Sequence, residues 1–204
     1  MLKSSFVVAA LALGLVGSMP ASGLIIGFSG TWAPATWTTT FLGDVAPPGP
    51  ADNGNVNTAG APNSIMITGG DDPANPQGNF NSCTGGGAFG CEIQFNHGDN
   101  GQSVRFAWSY TSLDSSGGPQ FDFFGVRVNG VETILSDQGG LANQSGFFTT
   151  SGAVTSFGFV VATLDGAAGP AVVTISQFAV PEPGSMALLG LGLAALGIRR
   201  RAGT

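Results

Sequence analysis

Between residues 24 and 179 the apolar positions return with a period of two, and no stretch shows the 3.6-residue period of an amphipathic helix. The clearest run is Val104-Arg105-Phe106-Ala107-Trp108-Ser109-Tyr110, which puts Val104, Phe106, Trp108 and Tyr110 on one face and Arg105, Ala107 and Ser109 on the other. That is the pattern of a half-buried strand. Residues 37–41, 64–68, 92–95, 154–163 and 171–178 read as further strands, separated by clusters of Gly, Asn, Asp and Pro that favour turns. The span 47–90 is poorer in such runs and predicts long loops around one strand at 65–67.

The sharpest local signal is Phe123-Phe124-Gly125-Val126-Arg127-Val128, then Asn129-Gly130, then Val131-Glu132-Thr133-Ile134-Leu135. Asn-Gly tolerates the positive backbone angles of a type I′ turn, whose twist matches that of paired strands. A two-residue loop sets Val128 opposite Val131, Arg127 opposite Glu132 and Val126 opposite Thr133, with Phe124 opposite Leu135. Arg127 is then a cross-strand partner of Glu132, an interaction worth under about 1 kcal/mol, rather than a ligand contact. About eight strands in this span fit an all-β, antiparallel two-sheet β-sandwich or jelly-roll body.

The two ends depart from this pattern. Residues 1–23 read as a secretory signal, with Lys3 as the positive tip, an apolar run over 6–16 and Ala21-Ser22-Gly23 as a small-residue cleavage site. The chain thus divides into a signal helix at 1–23, a β-sandwich body at 24–179 and a tail at 180–204. The tail reads Val180-Pro181-Glu182-Pro183, an apolar run over 184–198, then Arg199-Arg200-Arg201. A helix over 184–198 rises about 22 Å, against a hydrocarbon core of about 30 Å, so it makes a short transmembrane helix. The arginines hold its end on the cytoplasmic side and leave the body outside. Pro181 and Pro183 restrict their neighbours to extended backbone, which predicts a stiff exposed stalk at the membrane face.

This tripartite tail resembles the PEP-CTERM sorting domain of exported proteins from Gram-negative bacteria that make extracellular polymer. The resemblance is carried by Pro181, Glu182 and Pro183, the Leu-Leu-Gly-Leu-Gly-Leu core, and Arg199, Arg200 and Arg201. It implies recognition by an exosortase, a membrane transpeptidase with a thiol nucleophile. Its further implication is transient anchoring in the inner membrane, removal of the tail and delivery to the cell envelope or extracellular matrix. Residues 109–178 also look like the body commonly found ahead of such a tail, a likeness that brings no ligand or activity.

Composition narrows the partners. Of 204 residues only 9% are charged, against roughly 25% in ordinary soluble domains. Residues 24–180 hold two arginines, Arg105 and Arg127, against eleven acids, a net charge of −9. Such a surface repels phosphate backbones, so no nucleic acid is expected as a partner. Cations and neutral sugars stay open.

Little catalytic chemistry is visible. Cys83 and Cys91 are the two cysteines, and in an exported chain they most simply form a disulfide, contributing roughly 2–3 kcal/mol on the chain-entropy argument. A zinc site of Cys83, Cys91 and His97 is the sharper alternative, but it lacks a fourth ligand and close ligand pairing. His97, the sole histidine, precedes Gly98-Asp99-Asn100-Gly101 and reads as an exposed loop residue, with no nucleophile elbow to serve. Asp71, Asp72, Asp99, Asp114 and Asp122 could ligate calcium if the fold gathers them, although no calcium-loop motif does so in sequence. Trp108 alternates with core positions, whereas Trp32 and Trp37, flanking Ala33-Pro34-Ala35, are the better candidates for stacking on sugars, with burial as their default. The expectation is a non-enzymatic exported surface or matrix protein without a cofactor or metal. The alternative is a polysaccharide-binding module, calcium-dependent or not, carried by the same tail.

Overall fold

The computed structural model describes residues 24–43, 54–71, 90–98, 101–115, 118–152, 154–164, 166 and 168–181. Their eleven strands are β1 (Leu24–Ile26), β2 (Trp37–Leu42), β3 (Asn55–Asn57), β4 (Ser64–Thr68), β5 (Cys91–His97), β6 (Arg105–Ser112), β7 (Asp122–Val128), β8 (Val131–Ile134), β9 (Asn143–Thr149), β10 (Phe157–Thr163) and β11 (Ala171–Pro181). They form two antiparallel sheets. One has the order β3-β4-β11-β6-β9, with β1 also paired to β11; the other has the order β2-β5-β10-β7-β8. The expected all-β sandwich is present. The helices expected over 1–23 and 184–198 lie outside the described residues, among which no helix is long and apolar enough to cross a membrane.

Alternation fills the space between the sheets. Phe106, Trp108 and Tyr110 of β6 and Val173 and Ile175 of β11 are buried against Ile93 and Phe95 of β5, Phe124 and Val126 of β7, and Phe157, Phe159 and Val161 of β10. Facing side chains from both sheets form one core, as two packed sheets require. The β7–β8 hairpin has the register that its sequence predicts, with Val128 opposite Val131, Arg127 opposite Glu132 and Val126 opposite Thr133. Asn129 and Gly130 take φ of 53° and 82°, the two left-handed positions of a type I′ turn. Leu135 falls one residue beyond the ladder but keeps its link, donating its N–H to the Phe124 carbonyl at 2.8 Å.

Three strands escape the periodicity. β1 begins where the signal was expected to end, and β3 (Asn-Val-Asn) is too short to show a pattern. In β9 the inward positions are Gln144, Gly146 and Phe148, so only one in three is a large apolar residue. Gly146 has a packing reason, because a Cβ there would stand 2.8 Å from the Trp108 ring.

The inner strands of the five-stranded sheet are buried on both faces, whereas its edge strands β2 and β8 keep exposed positions. All seven residues of β10 are buried, and on the outward side of β5 Glu92 and Gln94 are 0% and 2% exposed. Their polar groups pair with one another. Gln94 Nε2 donates to Glu92 Oε2 at 2.7 Å and to Glu132 Oε1 at 3.0 Å, and Gln94 Oε1 accepts from Arg127 at 3.1 Å. The Arg127–Glu132 ion pair expected from the hairpin is present at 3.8 Å.

Candidate functional site

The sorting residues begin on the body itself. β11, which pairs with β4, β6 and β1, runs to Pro181, and Pro181 stands in register with Leu24 while Val180 pairs with Ile25. Ala179 and Val180 are buried. The first motif residue is therefore a strand residue and not part of a free stalk. Proline donates no amide hydrogen, and past Ala179 the described pairing of β11 is with β1 alone, the edge-like setting in which proline is tolerated. Glu182, Pro183, Arg199, Arg200 and Arg201 lie outside the described residues.

Cys91 opens β5 and is buried. It is in the disulfide state, and no described cysteine is a free thiol; Cys83 lies outside the described residues. His97 closes the same strand. Six steps of extended chain separate the two side chains by about 20 Å, so the zinc alternative built on Cys91 and His97 fails on distance.

His97 is not the exposed loop residue its sequence context suggests. It is 9% exposed and lies flat against Trp32, with ring centroids 4.0 Å apart and planes at 17°. Nδ1 is 2.6 Å from the Gly98 carbonyl oxygen and Nε2 is 2.8 Å from that of Thr31. Both ring nitrogens thus face backbone acceptors. The burial of His97 has a non-local cause, since Trp32 reaches it through the turn Gly30–Trp32 far upstream.

Trp32 and Trp37, the better sugar-stacking candidates in the sequence, are 0% and 7% exposed, and Trp108 is 8% exposed. Trp37 stacks on Phe95 at 4.8 Å and on Phe159 at 5.4 Å, and its indole N–H donates to the Trp32 carbonyl at 3.1 Å. Phe28 and Phe178 close the cluster, stacked at 4.6 Å. None of the three tryptophans offers a face to a ligand.

Of the calcium candidates, Asp72 and Asp99 lie outside the described residues. Asp114 and Asp122 meet through Ser112, whose hydroxyl donates to Asp122 Oδ2 at 3.2 Å and accepts from the Asp114 amide at 3.2 Å. Asp71 instead accepts from the Gly169 amide at 3.2 Å. Among the described residues no three His, Cys, Asp or Glu side chains gather where an ion could be held. Tyr110 lies beside this pair and donates to the Asp122 carbonyl at 2.8 Å. Burial, and next the Asp122 carboxylate, push its phenol well above the ordinary tyrosine range.

A feature missed in the sequence sits on the edge strand of the six-stranded sheet. Phe147 of β9 is 78% exposed on the outward face of the six-stranded sheet, across from Ala107 and diagonal to the exposed Arg105. The Phe147-Phe148 doublet could have revealed it, because consecutive residues of a strand point to opposite faces and one of the two rings must leave the core.

Residues 179–201 match the PEP-CTERM protein-sorting motif. The chain carries this sorting motif and is in that sense a PEP-CTERM domain-containing protein. No curated protein matches the sequence. Solved structures similar to the chain include the enzymatically active domain of tailspike protein 4 from bacteriophage CBA120, at 12% identity over 72% of this chain and 19% of that one, TM-score 0.33. The chain thus spans about a fifth of that protein. Another is the family 11 carbohydrate-binding module from Clostridium thermocellum in complex with a mixed-linked tetrasaccharide, at 11% identity over 79% of this chain and 97% of that one, TM-score 0.34. A third is a cleaved adhesin domain of Lys-gingipain from Porphyromonas gingivalis, at 11% identity over 79% and 99%, TM-score 0.35.

Proposed function

We propose that the protein is an exported surface or extracellular-matrix-associated protein of a Gram-negative bacterium, released from the inner membrane when an exosortase processes its tail, and that its body is non-enzymatic. The observation that carries this reading is the sorting motif at 179–201, which begins on the last strand of a folded sandwich. In this reading the signal at 1–23 exports the chain, the run at 184–198 anchors it and Arg199 to Arg201 stop its passage. A non-catalytic body is supported by His97, whose two ring nitrogens both face carbonyl oxygens and are not presented to a substrate. A Cys83–Cys91 disulfide, supported by the bonded state of Cys91, closes the loop before β5.

The experiment uses two variants in a host with an active exosortase. Changing Pro181, Glu182 and Pro183 to alanine leaves the apolar run intact and should leave unprocessed protein in the inner membrane. Neutralising Arg199 to Arg201 should instead weaken retention before processing. Wild-type protein recovered outside the cell with its tail attached, as read by intact mass, would overturn the proposal.

One observation favours a second reading, in which the body binds polysaccharide. Phe147 holds an aromatic ring out on a sheet whose outward positions are rich in Ser, Thr and Asn. Hydroxyls and amides pair readily with sugar hydroxyls, and an aromatic face suits a sugar ring. Retention on any matrix polysaccharide, lost in Phe147→Ala, tests it.

A further inference from the structure

The charges of the described residues divide unequally between the sheets. No strand of the six-stranded sheet contains an acidic residue, and Arg105 is the one charged residue among them. The five-stranded sheet holds Glu92, Asp122, Arg127 and Glu132. In a body with a net charge of −9, this leaves the described strands of one sheet free of acids, with an exposed cation on them. Arg127 is tied to Glu132 and Gln94 on the other sheet, whereas the Arg105 guanidinium has no hydrogen bond or ion pair among the described residues.

The backbone is distorted at the same place. The β11–β6 register breaks between Ser176 and Ala179, and Gln177 takes a φ of 50°, a left-handed conformation for a non-glycine residue. Bulges re-aim side chains and cluster near functional sites, and left-handed non-glycine residues persist where the surroundings enforce them. Gln177, Arg105, Phe147 and Thr149 line one recess of about 530 Å³. Arg105 pairs across the ladder with Thr149, and Phe147 with Ala107, which makes Arg105 and Phe147 diagonal neighbours about 7–8 Å apart. A sugar ring lying on Phe147 therefore brings a carboxylate on its edge within reach of the guanidinium, whose planar fork matches that group.

We propose that this recess binds an acidic polysaccharide built from carboxylated sugars, with Phe147 stacked on a sugar ring, Arg105 paired with its carboxylate and Gln177 and Thr149 bonded to its hydroxyls. The inference rests on the polysaccharide-binding reading and narrows it to one charge class and one site. A protein partner fits less well. Protein interfaces have apolar cores depleted in Ser, and here Phe147 stands among Ser109, Ser145 and Thr149. The described strands of this sheet place no carboxylate beside Arg105, and at physiological salt the repulsion from surface acids more than about 8 Å away is largely screened.

The test uses the full-length chain in neutral detergent, with polygalacturonate as the acidic probe, dextran as the neutral one and polyglutamate as an acid without sugar rings. Calorimetry or affinity electrophoresis should show binding to polygalacturonate that weakens as salt rises. Arg105→Gln and Phe147→Ala should each weaken it by about tenfold or more, whereas Arg127→Gln, which removes the same charge from the other sheet, should not. Phe147 and Arg105 are exposed, so neither change threatens the core. Binding to dextran alone, indifferent to Arg105→Gln, or no binding to polygalacturonate would overturn the acidic site, while the broader reading falls only if no matrix polysaccharide retains the protein. Equal retention of polyglutamate, or equal losses in Arg105→Gln and Arg127→Gln, would show general anion attraction and overturn the site.

Discussion

Trp37→Ala separates a structural aromatic cluster from a ligand platform. A buried tryptophan hides roughly 200 Å², and at about 25 cal/mol per Å² its full removal from the core costs about 5 kcal/mol. Alanine keeps the first carbon of the side chain, but the remaining void forfeits the stacking on Phe95 and Phe159. Large-to-small changes of this kind cost about 3–5 kcal/mol. The lost indole hydrogen bond at 3.1 Å also strips the Trp32 carbonyl of a donor, worth about 1 kcal/mol within that range. We therefore expect a loss of about 4 kcal/mol, a large share of the 5–15 kcal/mol typical of a domain, and a fall of about 8–16 °C in Tm. Trp37→Phe keeps a ring between Phe95 and Phe159 and should cost about 1–2 kcal/mol, from the hydrogen bond and the smaller ring. Urea unfolding followed by far-ultraviolet circular dichroism measures both, and an unchanged slope keeps the comparison valid. A loss below about 1 kcal/mol for Trp37→Ala, the size expected of a surface substitution, would refute the burial argument.

Two further perturbations probe other parts of the sandwich. Tyr110 is the sole tyrosine, so absorbance near 295 nm reports it alone: with its phenol held well above the ordinary range, the folded protein should show no phenolate as pH passes 10. The unfolded chain ionises there and binds fewer protons, so stability is full below about pH 10 and falls above it; a phenolate signal at pH 10 from protein with native circular dichroism would contradict this. Asn129→Gly keeps the left-handed turn but removes the acceptor of bonds from the Thr155 amide at 2.6 Å and hydroxyl at 2.9 Å, and should cost about 1–2 kcal/mol. Asn129→Ala adds backbone strain at φ of 53° and should cost about 1 kcal/mol more, so equal unfolding free energies for the two variants would show that the turn is not strained.

What could be read in the sequence was local. The Val104–Tyr110 alternation and the Asn-Gly hairpin fixed faces and register because a strand's period and a two-residue turn need no distant information. His97 was misread for the opposite reason: its neighbours Gly98 to Gly101 signal an exposed turn, while its burial comes from Trp32. Glu92 and Gln94, the polar positions of the strand read at 92–95, are buried as well. Their burial is tolerated because Gln94 joins Glu92, Glu132 and Arg127 in one network spanning β5, β7 and β8, which no single segment encodes and which offsets the cost of removing polar groups from water. The recess around Phe147 needed the bulge in β11 and the pairing of β9 with β6, neither of which any one segment encodes.

The pairing of β1 with β11 places a limit on processing. Val180 and Pro181 hold register with Ile25 and Leu24, and Ala179 with Ile26, so a cut before Ala179 would remove the whole partner of β1. It would also strip buried Ala179 and Val180 from the core, and with Val180 fully buried that loss alone is about 2 kcal/mol. A protease also needs an extended segment free of the ladder, and the pairing of β11 with β1 holds through Pro181. The released protein should therefore keep β11 through Pro181, and its mass should place the new C-terminus at Pro181 or later. A mature C-terminus before Ala179 in protein that is still folded would mean that β1 does not depend on the end of β11, and that the sorting enzyme opens the sheet to reach its bond.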